Sequence, residues 1–342
     1  MLLAVWMMER SFEFRYEGAT ACRLDLFLVN ALAAEPELTE VTRSQIKQRI
    51  EGGSVLVEGR VILKAGHAIK PGNLVQVVLN LPPSGEIEPY DYPLKILFED
   101  KEIVVVDKPA GLSMHPGAGN PNRSLLNALI GHFGGAAAEF EEQGRLGIVH
   151  RLDKDTSGVV VVAKTPMALA KLSAQFTDRS VLKAYLALVY TTPRGRRAVQ
   201  ITDHGRVDAP LGRHPGRRTL MAVVEHGGRP AVTDWRRLEE LGHAALLEVT
   251  PRTGRTHQIR VHMNYIGSPI LGDPVYGNYS GLPKPLFEAC RAFGRQALHA
   301  ARLEFNHPSS GVRLSFESPL PEAYKALLNL FRSWGKGLYE RI

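Results

Sequence analysis

The sequence predicts an α+β fold divided between a small N-terminal domain and a larger second one, on three observations. Strand-like and helix-like segments follow one another without the regular strand–helix–strand rhythm of a doubly wound sheet. A chain of 342 residues is long enough to build two cores. The stretch Leu81-Pro82-Pro83-Ser84-Gly85-Glu86 reads as a linker between them. Apolar and charged fractions of 44% and 23% are those of a globular protein that dissolves in water.

The opening MLLAVWMM is apolar for eight residues and then meets Glu9 and Arg10. It is too short for a secretory signal core with its flanks, and far too short to span a bilayer. Met7 and Met8 are alternative starts, and residues 1–21 are expected to be an N-terminal extension, partly disordered. The first compact unit is expected over 22–81. Thr42-Arg43-Ser44-Gln45 has the capping-box pattern, and Ile46 and Ile50 continue it as a helical stripe. Arg43 and Lys47 lie four apart and share a face of that helix. Gly52-Gly53 ends it, and strands are expected at Val55–Val57 and Leu74–Leu79, with Lys70-Pro71-Gly72-Asn73 as a turn.

Residues 82–93 are assigned to the linker and 94–342 to the second domain. A strand opens it at Ile103–Val106, before Asp107-Lys108-Pro109-Ala110-Gly111-Leu112. Thr165 and Pro166 are good N-cap and first-turn residues for a helix with Leu169, Leu172 and Phe176 inward. Lys183–Tyr190 and Ala245–Thr250 alternate as strands. The turn Thr253-Gly254-Arg255 then opens a second helix with Ile259, Met263 and Ile266 inward. Tyr324, Leu327, Leu328, Phe331 and Trp334 share a face of a last helix, which suits docking on the core better than a partner groove or a membrane. There is no internal repeat and no other run of membrane length.

Cys22 and Cys290 are too few for a disulfide framework or a cysteine metal site and fit a reducing, cytoplasmic setting. The formal net charge of +7 suggests a polyanionic partner, a weak signal alone. Its distribution says more. Arg43, Lys47, Arg49, Arg60, Lys64 and Lys70 face only Glu51 and Glu58 between positions 43 and 70. From Val249 to Gly272 there are Arg252, Arg255 and Arg260 and no acid. Such clusters look like phosphate-facing patches, the alternative being solvated faces.

The most informative stretch is His150-Arg151-Leu152-Asp153-Lys154-Asp155-Thr156-Ser157-Gly158, followed at once by the apolar run Val159–Val162. It places a carboxylate at the mouth of a buried strand, where an ionised group is costly unless paired. Other chemistries fare worse. Ser157 and His150 lack the GxSxG elbow of a Ser/His/Asp hydrolase. His257 and His262 are five apart, which is not the spacing of a helical zinc pair, and no HExxH occurs. Neither GxxxxGK[ST] nor GxGxxG is present.

HRLDKDTSG matches the HRLDxxTSG signature at all seven of its fixed positions, and on it the chain resembles the RluA/RluD family of RNA pseudouridine synthases. DKPAGLSMHPG from Asp107, RTGRTHQIR from Arg252 and the loop Gly272–Gly277 extend the likeness, and that loop is expected to be structural. The resemblance covers nearly everything from Arg23 to Leu320. It implies a small S4-like (αL) RNA-binding domain, carried by RLDLFL from Arg23, TRSQIKQRI from Thr42 and VLVEGR from Val55. A pseudouridine synthase catalytic domain would follow, with a mixed, largely antiparallel sheet flanked by helices. One departure is Asn73, where the family usually carries Asp; it should alter a turn rather than the fold.

The resemblance also implies roles. Asp153 would be the catalytic carboxylate, Arg260 the arginine that pairs with it, and Tyr185 the tyrosine that faces the base. By alternation alone Tyr185 would be a core residue beside Ala187 and Val189. Arg151, with Leu152, would serve base flipping by filling the space of an extruded uridine, though Arg151 could equally pair with phosphate or Asp155, and Leu152 could simply pack. Arg43, Ser44, Lys47, Arg213, Arg217 and Arg255 would contact RNA, Arg213 and Arg217 from the basic turn Gly212–Arg218, which with Met221-Ala222-Val223 resembles RluD-type members. The expected partner is structured RNA, most of all large-subunit (23S) ribosomal RNA, including that of ribosome precursors. No metal, organic cofactor or membrane is expected, and the chain is expected to be a monomer. The competing reading is a catalytically silent RNA-binding protein on the same fold; the presence of Asp153, Tyr185 and Arg260 together disfavours it. A hydrolytic RNA enzyme is weaker still for want of metal ligands.

Overall fold

The computed structural model describes residues 8–33, 43–81, 87–117, 120–134, 147–191, 202–217, 220–279 and 281–339. The chain divides after Glu86 into two compact units. The first contains strands β1 (Met8–Arg15), β2 (Cys22–Arg23), β3 (Val55–Val57), β4 (Arg60–Val61), β5 (Ala68–Ile69) and β6 (Leu74–Leu81), with helices α1 (Leu24–Ala33) and α2 (Arg43–Glu51). Four strands form a sheet in the order β1-β6-β3-β4. Leu24, Leu28 and Leu32 of α1 recur every four residues and so share one face. They meet Ile46 and Ile50 of α2 and the valines of β3 and β6 in a single apolar cluster.

Residues 8–15 are not a loose extension. Every residue of β1 pairs antiparallel with β6, from Met8 opposite Leu81 to Arg15 opposite Leu74, and Phe12 and Phe14 pack against the core. The alternation of Phe12, Phe14 and Tyr16 was the available signal. Asn73 keeps its turn closed: its side-chain oxygen accepts the Lys70 N–H at 2.8 Å. The expected cap Thr42 and linker residues 82–86 lie outside the described residues. Residues 87–93 belong to the second unit instead of a linker. Tyr90 and Tyr92 pack on its core, and the Tyr90 N–H donates to the Asn127 carbonyl at 3.0 Å.

The second unit is built on a ten-stranded sheet. Its strands are β7 (Lys95–Glu99), β8 (Ile103–Lys108), β9 (Gly147–Ile148), β10 (Ser157–Ala163), β11 (Leu182–Tyr190), β12 (His204–Asp208), β15 (Val232–Glu240), β16 (Ala244–Pro251), β17 (Leu298–Asn306) and β18 (Arg313–Glu317), with β13 (Leu211–Arg213) and β14 (Met221–Val223) forming a separate hairpin. The helices are α3 (Leu125–Phe133), α4 (Pro166–Asp178), α5 (Gln258–Tyr265), α6 (Lys284–Phe293) and α7 (Glu322–Tyr339). The main path runs β12-β15-β16-β11-β17-β10-β8-β7, and its one parallel contact is between β10 and β17. The α+β expectation, with a mixed and largely antiparallel sheet, matches this arrangement.

Both faces of the sheet centre are covered. Val160 and Val162 look into the larger core with Tyr185, Ala187 and Val189; Val159 and Val161 look into a second core under α4. Period-two geometry on two apolar faces explains why β10 reads as an unbroken valine run. Each fully buried valine contributes roughly 1.5–3 kcal/mol, so the mouth of β10 is a firm base for a loop.

Candidate active site

The loop ahead of β10 is held from three sides. From below, Lys108 is fully buried and its ammonium donates to the carbonyls of Pro109 (2.8 Å), Leu112 (2.8 Å) and Lys154 (3.1 Å). Burial pushes its pKa down to about 7, with Asp155 and Asp153 opposing that shift. From inside the loop, the Thr156 N–H closes a turn on the Asp153 carbonyl at 3.0 Å. From β17 and the residues just before it, the Gln296 side-chain amide donates to the Thr156 hydroxyl at 3.0 Å, and His299 Nδ1 lies 2.9 Å from the Ser157 hydroxyl. Ser157 is thus bound to His299 and not to His150. The His150 ring stacks on Phe176, and its Nε2 accepts the Val161 N–H at 3.0 Å.

Gly158 lets β10 and β17 come together. Its φ is +120°, and a Cβ there would lie 2.1 Å from the Ala300 carbonyl oxygen. Only glycine tolerates both conditions.

Asp153 stands at the top of this scaffold with its side chain 17% exposed. Arg260, on the first turn of α5, donates from one terminal nitrogen to Asp153 Oδ2 at 3.1 Å. The expected pair is therefore formed. The other side of the guanidinium forks onto Asp273, with Nε to Oδ2 at 2.7 Å and the second terminal nitrogen to Oδ1 at 2.9 Å. Burial works against the charge on Arg260, but Asp273 and then Asp153 outweigh it, and its pKa lies above the ordinary value. Asp273 is completely buried, and its Oδ1 also accepts the N–H groups of Val275 and Tyr276. Sequence reasoning took its loop as scaffold and missed it. Bidentate geometry of this kind fixes a guanidinium in direction as well as position. Gly272, at φ +75°, makes the approach possible, since a Cβ would sit 2.2 Å from the Arg295 carbonyl oxygen.

Tyr185 lies on β11 with 8% of its surface exposed, inside the main core cluster. Burial, and next the charge of Asp153, raises its phenol pKa, so the hydroxyl stays protonated. Among the described residues nothing hydrogen-bonds that hydroxyl. Arg151 is exposed and forms no ion pair with Asp155 or any other described residue. Leu152, the expected second member of the flipping pair, is 4% exposed within the main core: it anchors the loop by packing.

The basic segments divide. Arg252 pairs with Asp234 at 2.7 Å and Arg260 with two carboxylates, so of these three arginines only Arg255 has no carboxylate partner. It lies close enough to Arg229 and Arg179 for their charges, after burial, to lower its pKa; neither of those two was singled out from sequence. Arg213 and Arg217 are exposed at the end of the β13–β14 hairpin, and Arg218 lies outside the described residues. In the first unit Ser44 and Lys47 are exposed, whereas Arg43 and Arg23 both bind the buried Asp25 at 2.8 and 3.0 Å. Hydrogen bonding to Arg23, against the opposing effect of burial and with Arg43 assisting, holds the Asp25 pKa at about 2. No cluster of three or more His, Cys, Asp or Glu side chains arranged to hold a metal occurs among the described residues, and no described helix is long and apolar enough to cross a membrane.

The chain is similar to known proteins over most of its length. The family described as RNA pseudouridylate synthase matches residues 102–265. Ribosomal large subunit pseudouridine synthase D of Zymomonas mobilis is 43% identical over 295 residues, covering 86% of this chain and 90% of its own. The protein of the same name from Pseudomonas aeruginosa is 44% identical over 297 residues, covering 86% and 88%. Among solved structures, Human RNA Pseudouridylate Synthase Domain Containing 4 superposes with a TM-score of 0.54 at 27% identity, over 70% of this chain and 93% of that one.

Proposed function

The chain belongs to the RluD-type RNA pseudouridine synthases, isomerases that act on RNA, and from that premise we propose that it converts specific uridines of large-subunit ribosomal RNA with Asp153 as the catalytic carboxylate. The observation that carries this reading is the Asp153–Arg260–Asp273 chain. Isomerisation breaks the N1–C1′ bond, turns the uracil, forms a C5–C1′ bond and removes the C5 proton while N1 gains one, so the net composition is unchanged. Attack on the ribose C1′ or on the uracil ring makes the same demand of the enzyme: a carboxylate that is ionised and aimed. Arg260 favours the ionised form by pairing with it, and Asp273 aims Arg260.

A base inside a helix cannot reach Asp153, so the target nucleotide must leave its stack. Tyr185 offers an aromatic face beside the carboxylate, and its protonated phenol can give or relay a hydrogen bond. Arg151, exposed and unpaired next to Asp153, fills the space the base vacates. The first unit acts as an S4-like module whose Ser44 and Lys47 meet RNA backbone, while Arg213, Arg217 and Arg255 do so near the site; such contacts set register rather than sequence choice. The reaction needs no cofactor, and the enzyme works as a cytoplasmic monomer.

The test is to map pseudouridines in cellular RNA with and without the gene, then to complement with Asp153→Asn. Sites in large-subunit ribosomal RNA should disappear with the gene and stay absent with the asparagine variant. If that variant restores every lost site, Asp153 is not the catalytic group.

A further inference from the structure

His257 breaks the pattern expected of its position. It immediately precedes α5 where an N-cap belongs, yet its backbone is left-handed (φ 55°, ψ 21°) and its side chain makes no capping hydrogen bond. N-caps are usually extended Ser, Thr, Asp or Asn that accept from the first turn. A left-handed histidine persists only where its surroundings hold it. What holds it is Tyr276, whose hydroxyl oxygen lies 2.9 Å from His257 Nδ1 and accepts the Met221 N–H at 3.0 Å.

That hydroxyl has one hydrogen to give. With Met221 occupying a lone pair and no other acceptor within reach among the described residues, the hydrogen goes to Nδ1. The imidazole is then neutral, and its own proton resides on Nε2. Tyr276 is fixed in turn: its N–H binds Asp273, and the Arg260 guanidinium lies over its ring at 5.1 Å. Burial lowers the His257 pKa, followed in opposing senses by Asp153 and Asp273 on one side and Arg260 and Arg151 on the other. Four charged groups of the site thus act on this ring. Nε2 has no partner among the described residues.

We propose that His257 is a substrate-contacting residue, donating its Nε2–H to an acceptor oxygen of the uridine placed at Asp153, and that Tyr276 is its positioning residue. It cannot be a general base while Nδ1 is occupied and Nε2 carries a hydrogen, and for the same reason it cannot ligate a metal through Nδ1. The inference rests on the catalytic reading of Asp153 given above.

Two substitutions separate the ring nitrogens. Asparagine tolerates left-handed backbone and its amide reaches only the Nδ1 position, so His257→Asn keeps the local fold and loses the distal donor. Glutamine extends an N–H to the Nε2 position. Using the full-length protein and a transcript carrying a uridine that the wild type converts, His257→Asn should slow single-turnover conversion by about tenfold or more. His257→Gln should recover most of that rate, with RNA affinity and melting temperature matching in the two variants. Nitrogen NMR of the free wild-type protein should show the Nε2–H tautomer, and Tyr276→Phe should release it to a mixture, a change that loss of packing alone does not produce. A wild-type rate in His257→Asn, equal losses in both variants, or an Nδ1–H tautomer in the wild type would each overturn the proposal. Inactive Asp153→Asn beside fully active His257→Asn sinks this inference alone; active Asp153→Asn sinks the reading beneath it.

Discussion

Arg260 commits three N–H donors to two carboxylates, two to Asp273 and one to Asp153, and this makes the buried Asp273 the more demanding partner. Asp273→Asn leaves a buried guanidinium short of its matching charge. Breaking a buried pair in this way typically costs about 3–5 kcal/mol, so denaturant unfolding should show a loss of that order, and pseudouridine formation should fall although Asp153 is intact. His150 supplies a pH signature. Burial, and next the charge of Lys183, brings its pKa to about 3, below the value near 6.5 of an exposed imidazole. The unfolded chain therefore takes up the proton first. The stabilisation is complete above pH 6.5 and is lost as pH falls from 6.5 towards 3, at up to about 1.4 kcal/mol per pH unit for this one group. Unfolding measured at pH 7, 5 and 4 should show that gradient, and His150→Gln, which can still accept the Val161 N–H, should flatten it by one proton's worth. An equal gradient in both proteins would locate the acid sensitivity elsewhere.

The elements around the site differ in how openly the sequence declares them. The valine run of β10, the stripe of α4 and the alternation of β11 and β16 are local patterns, and each is a real element. β1 was hidden by the apolar residues before it, which drew attention to membrane and signal readings. Tyr185 shows the limit of pattern: its place on β11 is that of a core residue, and only the motif around it pointed to chemistry. Gln296 and His299 are invisible to local reading because the residues they clamp are 140 and 142 positions away. Asp273 was missed because glycine-flanked turns are usually scaffold. Where two elements meet, Gly158 offers the sharpest test. Gly158→Ala places a methyl against the Ala300 carbonyl in a backbone region closed to alanine. A loss of about 3 kcal/mol or more is expected by denaturant unfolding, together with reduced activity as the loop carrying Asp153 shifts. A near-neutral result would mean that β10 and β17 are not held this closely in solution.

For the molecule as a whole, the division into two units and the α+β class follow from pattern and length, while the pairing of Asp153 with Arg260, 107 positions apart, was reachable only through the motifs that resemble a family. Total charge was a blunter guide than exposure and pairing: much of the basic surplus is tied to carboxylates, and Lys47, Arg151, Arg217 and Arg255 are among the cations left to face a polyanion. RNA affinity should fall steeply with salt, and Lys47→Ala, whose contact with Glu51 is a loose 3.9 Å exposed pair, should reduce the slope of log affinity against log salt by about one without changing which uridine is converted. An unchanged slope would remove Lys47 from the RNA-facing surface. Lys108 has a different consequence. An amine with a pKa near neutrality would ordinarily be among the first in a protein to react with acylating reagents, yet all three of its hydrogens are held by carbonyls, two from the turn after β8 and one from the loop that carries Asp153. It can be labelled only while that loop is open, so its acylation rate is a built-in clock for how often the site breathes.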